Sequence, residues 1–201
     1  MGLAGDNGSV RRSHTSRADS PHHLARMVCM SDDGATADNE FSLARVSVQD
    51  CAPGQYAAFR ELNLAWIRRH FTIEPSDRVL LDDPERAIVD RGGIILVATY
   101  SLAGASPLVV GACALLSDGD RTVFELAKMA VDVPFQGRKV GYLLGKEAVQ
   151  RARREGASQL RLETNSKLIP ALRLYEKLGF TEIPTTKPAY ERVDVQMTLQ
   201  L

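Results

Sequence analysis

The stretch from Val131 to Tyr142, Val-Asp-Val-Pro-Phe-Gln-Gly-Arg-Lys-Val-Gly-Tyr, constrains this chain more than any other. An apolar run stops at Pro134, a turn carries Gly137, and a helical pattern starts beside Arg138 and Lys139. The first turn of a helix has backbone N–H groups without intrahelical acceptors and a partial positive charge, so such a junction suits a phosphate. Gly141 has no Cβ and permits close approach of the backbone, and Arg138 and Lys139 add charge beside the anion. The spacing fits neither G-x-G-x-x-G nor G-x-x-x-x-G-K-S/T, because Gly137, Gly141 and Gly145 stand four apart. Taken alone, a basic helix start with glycines also reads as ordinary structure.

Around this junction the hydrophobic period switches between strand and helix. Leu43, Val46 and Val48 predict a first strand, and Phe59, Leu62, Asn63, Trp66, Ile67 and His70 an amphipathic helix. Asp83 as N-cap, Pro84 in the first turn and Gly92 as the stop frame a second helix. Three strands follow at Ile94 to Tyr100, Leu108 to Leu116 and Val123 to Val131, with Asp118-Gly119 as a hairpin signal. A long helix is expected from Lys139 to Arg154, with Val140, Leu143, Leu144, Ala148 and Ala152 on one face and Gly156 ending it. Then come a strand at Leu160 to Glu163, a short helix at Pro170 to Leu178, and strands near Phe180 to Ile183 and Val193 to Leu199. This order predicts an α/β fold, a central twisted mixed sheet flanked by helices on both faces.

The domain is expected to span residues 41–201. Residues 1–40 are rich in Gly, Ser, Asp, Arg and His without apolar periodicity, and read as a disordered tail. They hold no apolar core of a secretory signal; Arg11, Arg12, Arg17 and Arg26 fit a transit peptide while Asp6 and Asp19 do not, and Met27 and Met30 are alternative starts. Lys+Arg and Asp+Glu both number 25, which argues against a general nucleic-acid binder. No apolar run approaches the roughly 20 residues that span a bilayer, so no membrane partner is expected. Three scattered cysteines (Cys29, Cys51, Cys113) suggest a reducing, cytoplasmic setting, with Cys113 a small buried hydrophobe. The four histidines, His14, His22, His23 and His70, lack ligand spacing, so no metal is expected.

Glu125-Leu126-Ala127-Lys128-Met129-Ala130-Val131 followed by Gln136-Gly137-Arg138-Lys139-Val140-Gly141 resembles the acetyl-CoA-binding core of the GNAT superfamily of N-acetyltransferases, whose signature is Gln/Arg-x-x-Gly-x-Gly/Ala. Leu162-Glu163-Thr164-Asn165 and Ala171-Leu172-Arg173-Leu174-Tyr175-Glu176-Lys177-Leu178-Gly179-Phe180 resemble that family's next strand and its tyrosine-bearing helix. The resemblance covers about Leu43 to Leu201 and implies a GNAT-like fold and acetyl transfer from acetyl-CoA to an amine by direct attack. It places Gln136, Gly137 and the backbone amides of Arg138, Lys139, Val140, Gly141 and Tyr142 around the pyrophosphate. Met129, Ala130 and Val131 would run beside the pantetheine arm where two parallel strands splay apart, with Asn165 bonding that arm. Lys139 stands where the signature has its first glycine; helical geometry is expected not to require glycine there, and the side chain is expected either to crowd the pyrophosphate or to hold a phosphate.

Acyl transfer to an amine needs a base, because an alkylammonium has a pKa near ~10, a donor for the oxyanion, and a proton for the departing thiolate. The resemblance puts Tyr175 near the sulfur as the acid; its spacing with Leu168, Ala171 and Leu178 equally fits a core residue. Glu125 is the candidate base, against a salt bridge to Lys128 or a solvated strand face, and Glu163 is a weaker candidate. Trp66, His70, Phe71 and Glu74 lie where the family often builds its acceptor pocket, although Trp66 fits a core residue better, while Tyr190, Arg192 and Asp194 line either the substrate mouth or a strand edge. Asp82 and Asp83 read as a helix cap. The expected partner is a small-molecule or protein amine, with self-association through the C-terminal strands left open. The other reading is a non-catalytic module of the same fold that senses acyl-CoA.

Overall fold

The computed structural model describes residues 41–117 and 119–201. The expected tail, Cys29, His14, His22, His23 and Asp118 lie outside the described residues. Seven strands form one sheet: β1 (Val46–Asp50), β2 (Ile94–Tyr100), β3 (Leu108–Ser117), β4 (Val123–Val131), β5 (Gln159–Thr164), β6 (Thr181–Ile183) and β7 (Val195–Gln200), in the order β1-β2-β3-β4-β5-β7-β6. All neighbours are antiparallel except β4 and β5. The mixed sheet is therefore as the hydrophobic pattern predicts.

Two helices, α1 (Tyr56–His70) and α2 (Pro75–Leu81), cover one face. Phe59, Leu64 and Ile67 of α1 and Leu81 of α2 pack with Ile95, Val97, Ala112 and Ala114 of the sheet. The other face carries α3 (Val140–Arg154) and α4 (Ile169–Leu178). Successive strand residues point to opposite faces, and accordingly Gly111, next to Ala112, lies against Leu144 of α3. Gly145 lets α3 and α4 approach, since a Cβ there would run into Leu178 Cδ1.

The second helix departs from expectation. Glu74 caps α2, its N–H bonding the Asp77 carboxylate at 2.9 Å, with Pro75 in the first turn. Downstream, Asp83 accepts from the Arg86 N–H at 3.1 Å, but the segment makes only a π-helical turn, Glu85–Val89. The Gly93 N–H bonds Ile88 O at 2.8 Å, so no further helical turn can form before β2. Leu43 lies in a 3₁₀ turn (Leu43–Arg45) rather than in β1, and Val193 precedes β7.

Two irregularities in β4 open the sheet on one side and bend it on the other. Its parallel pairing with β5 covers only Val123, Phe124 and Glu125 against Gln159, Leu160 and Arg161. Beyond them β5 stays paired to β7, so the β4 edge from Leu126 onward faces a gap. On the other side, Ala112 pairs with Ala130 and Ala114 with Ala127. Lys128 and Met129 thus oppose Cys113 alone, a bulge in which Lys128 takes φ +51°.

Candidate active site

A cleft of about 600 Å³ opens where β4 and β5 part, lined by β4, the start of α3, α4 and the C-terminal end of α1. At the α3 end, Val133–Phe135 forms a 3₁₀ turn started by Asp132, and Gln136 Nε2 donates to Val131 O at 2.8 Å, tying the turn to the strand. The N–H groups of Val140, Gly141 and Tyr142 find no acceptor among the described residues, and α3 has no side-chain cap. The junction thus presents a free row of amides to the cleft. Gly137 (φ +72°) and Lys139 (φ +65°) are both left-handed. Lys139 is therefore the N-cap and outside the helix, which corrects the expectation that its backbone has no use for glycine: a glycine would relieve a real steric cost. Gly141 is less demanding, since an added Cβ would only touch Leu174 at 3.4 Å and Val131 at 3.7 Å. The Arg138 guanidinium stacks on the Phe41 ring, 4.8 Å from its centroid, and the Lys177 ammonium sits 4.8 Å from the Tyr142 ring centroid.

Met129 and Val131 line the cleft and are half-buried, while Ala130 is buried within the sheet. Tyr175 projects from α4 into the same cleft, its ring edge-on to Phe180 at 6.1 Å. Burial pushes its phenol up to about 12, so it stays protonated at neutral pH, and its hydroxyl has no partner among the described residues. A protonated, uncommitted O–H is what a departing thiolate needs. Cys113 lies buried in β3, its thiol pushed up to about 12 by burial.

Glu125, the last β4 residue paired to β5, also lines the cleft and has no hydrogen-bond partner among the described residues. Burial raises its pKa, the Glu163 charge adds to the rise, and Lys128 partly offsets it. Glu163 itself accepts from the Ala189 N–H at 3.0 Å and from Gln196 Nε2 at 2.8 Å. Asn165 donates to Arg192 O at 2.6 Å and accepts from the Lys167 N–H at 2.9 Å, which leaves one amide hydrogen for another acceptor. Asp194 accepts from Ser166, away from the cleft lining.

The wall facing Glu125 is an ionic network that sequence reasoning did not assemble. Asp77, fully buried on α2, accepts from Lys128 Nζ at 2.6 Å and from Arg192 Nη2 at 2.6 Å and Nη1 at 2.9 Å. Arg192 also donates to Glu74 at 2.8 Å, and Lys128 to the Tyr190 hydroxyl at 2.8 Å. Arg192 stacks on Tyr190 (4.4 Å) and lies over Phe71 (5.8 Å), which in turn stands 5.9 Å from Trp66. The sequence marked Glu74, Phe71, Trp66, Tyr190 and Arg192 as candidates; Asp77 carried only the signal Pro75-x-Asp77 of a capped helix. Among the described residues, no three His, Cys, Asp or Glu side chains converge as a metal centre would require, and no helix is long and apolar enough to cross a membrane.

The sequence profile of the Acetyltransferase (GNAT) family matches residues 57–180, so the chain belongs to the GNAT acetyltransferase family. It is 34% identical over 110 residues to an uncharacterized N-acetyltransferase of Schizosaccharomyces pombe, the match covering 55% of this chain and 63% of that protein. The chain thus spans less than two thirds of that relative's length. An acetyltransferase of the GNAT family from Staphylococcus aureus superposes with a TM-score of 0.66 at 20% identity, over 77% of this chain and 98% of that one. A second neighbour, a putative acetyltransferase from Salmonella typhimurium solved with its cofactor acetyl-CoA, gives a TM-score of 0.56 at 22% identity over 77% and 93% of the two chains.

Proposed function

We propose that this protein transfers the acetyl group of acetyl-CoA to an amine by direct attack in a ternary complex, in a reducing, cytoplasmic setting, with residues 41–201 as the catalytic domain. One observation carries the reading: the open β4 edge, the uncapped start of α3, Glu125 and Tyr175 share one cleft. The residues fit the co-substrate. The amides of Val140, Gly141 and Tyr142 suit its pyrophosphate, and the β4 edge along Met129 to Val131, which no strand covers on the β5 side, suits the amides of the pantetheine arm. Bound there, acetyl-CoA supplies a thioester whose acyl carbon an amine can attack.

Glu125, its pKa raised by burial and by the Glu163 charge, takes the proton of the incoming ammonium directly or through water. The Val131 N–H, which the alternation of the β3–β4 ladder turns toward the open edge, donates to the developing oxyanion. Tyr175 gives a proton to the departing sulfur. Calorimetry with acetyl-CoA, with NADH and ATP as controls, tests the cofactor: micromolar binding of acetyl-CoA alone is expected, and no binding refutes the proposal. Tyr175→Phe should then lower kcat by about 10²-fold while leaving acetyl-CoA affinity nearly intact. An unchanged rate removes Tyr175 as the acid and leaves it a packing residue.

A further inference from the structure

Of residues 136–142, which lead into α3, Arg138 alone is absent from the cleft lining. Its guanidinium lies over the Phe41 ring instead, 4.8 Å from the centroid. That ring stacks on Tyr100, with centroids 5.4 Å and planes 14° apart, and meets Phe135 edge-on at 5.9 Å. Tyr100 and Phe135 are both buried and stand 5.4 Å from each other. Phe41 is thus seated on two core residues, one at the end of β2 and one in the 3₁₀ turn before α3. The backbone beside it is pinned as well: the Ser42 N–H donates to the Tyr100 hydroxyl at 3.4 Å, and the Ser101 N–H to Arg45 O at 3.0 Å. The family profile begins at residue 57, so this strap of residues 41–45 lies outside the part of the chain that the profile covers.

The turn that Arg138 occupies needs such a hold. Arg138 stands between two left-handed residues, Gly137 (φ +72°) and Lys139 (φ +65°), and that conformation is costly for lysine. Gln136 Nε2 ties the front of the turn to Val131 O, and the Leu143 N–H ties its end to Lys139 O at 3.1 Å. Those bonds close the two ends, and the stack of Arg138 on Phe41 closes the middle. Without the stack, Lys139 would relax toward the right-handed region, and the peptide that carries the Val140 N–H would rotate with it. A site already held in its bound geometry binds more tightly, because less ordering is left to the binding step.

Resting on the acetyl-transfer reading, we infer that Phe41 is a positioning residue for the co-substrate. Its ring, seated on Tyr100 and Phe135, holds Arg138, and through Arg138 the left-handed turn that presents the amides of Val140, Gly141 and Tyr142 to the pyrophosphate. Phe41 touches no reacting group, and its effect falls on co-substrate affinity. The aromatic face is what the guanidinium requires, so an aliphatic side chain of similar bulk fills the space without replacing the function.

The test is calorimetry of acetyl-CoA with the full chain, run on wild type, Phe41→Leu, Phe41→Tyr, Arg138→Ala and the double variant Phe41→Leu/Arg138→Ala, each first melted by circular dichroism so that titrations are made where it is folded. Phe41→Leu should raise the Kd for acetyl-CoA about 5-fold, while Phe41→Tyr, which keeps the ring, stays within about 2-fold of wild type. On the Arg138→Ala background, Phe41→Leu should have no further effect on affinity, because the contact it acts through is already gone. A ring that merely packs the core would let leucine stand in for it and would act the same with or without Arg138. Wild-type affinity in Phe41→Leu therefore overturns the inference, as does an equal loss on the two backgrounds. In both of those cases the wild-type chain still binds acetyl-CoA and the acetyl-transfer reading stands; absence of binding by the wild type overturns that reading and this inference with it.

Discussion

Asp77→Asn isolates the network that joins α2, the β4 bulge and the segment before β7. The aspartate is fully buried and accepts four hydrogen bonds, from Lys128 at 2.6 Å, Arg192 at 2.6 and 2.9 Å, and the Glu74 N–H at 2.9 Å. Asparagine keeps the shape but turns an NH₂ toward cationic donors. Lys128, with a side chain only 5% exposed, cannot rehydrate and keeps just the Tyr190 hydroxyl. Removing one partner of a buried pair costs about 3–5 kcal/mol. For a chain of this size each kcal/mol lowers Tm by about 2–4 °C, so a fall of about 6–20 °C is expected. Urea unfolding followed by circular dichroism measures the free energy directly. The pH dependence carries a sign. Burial pushes the Asp77 carboxyl up, and the hydrogen bonds from Arg192 and Lys128 overcome it, leaving the pKa lowered. A carboxyl depressed in the fold stabilises above its unfolded value, about 3.9, and loses that contribution as pH falls through the folded value. The gap between wild type and variant should therefore narrow below about pH 4. In the variant, Lys128 has lost the carboxylate that offsets its burial, so stability should recover as pH rises and the ammonium gives up its proton. A loss under about 1 kcal/mol at pH 7, or a gap independent of pH, would refute this account of the pair.

Three further outcomes rest on single positions. Gly93→Ala places a Cβ 2.7 Å from Leu115 O and 2.9 Å from Ile88 O, backbone atoms that cannot step aside; a loss of about 1–3 kcal/mol in urea unfolding is expected, and wild-type stability would show that β2 and β3 can spread. Lys139→Gly removes a left-handed side chain at φ +65°. The relief of about 1–2 kcal/mol exceeds the entropy of glycine, about 0.5–1 kcal/mol, so thermal unfolding should show a net gain of up to about 1 kcal/mol, and a loss would mean that the lysine side chain holds the turn. Wild-type kcat/KM should rise with pH through the raised pKa of Glu125, and Glu125→Gln should lose that limb; identical profiles would return Glu125 to a structural role.

The order of strands and helices was legible because hydrophobic period, caps and turn residues act between neighbours in the chain. The α3 junction was legible for the same reason: Pro134, Gly137 and Gly141 punctuate it within eight residues. The helix framed by Asp83 and Gly92 failed because its local signals were sound while the Ile88–Gly93 closure onto β2 left room for a single wide turn. Lys139 failed because a left-handed residue is imposed by the turn entering α3, and lysine carries no mark of it.

What the sequence by itself determined is thus the sheet's apolar interior, the helices that cover it and the amide-bearing start of α3. Only the tertiary structure decided the ionic wall of the cleft. Asp77 meets Lys128 across 51 residues and Arg192 across 115. Locally, Asp77 reads as part of a helix start, Lys128 as a partner of Glu125 and Arg192 as a residue of a substrate mouth or strand edge, and nothing in the sequence joins the three; the left-handed bulge at Lys128 is part of what brings them together. Patterns of apolar residues are repeated along the chain and so announce themselves, whereas a buried ion pair is a single long-range contact whose partners become neighbours only after the sheet has formed.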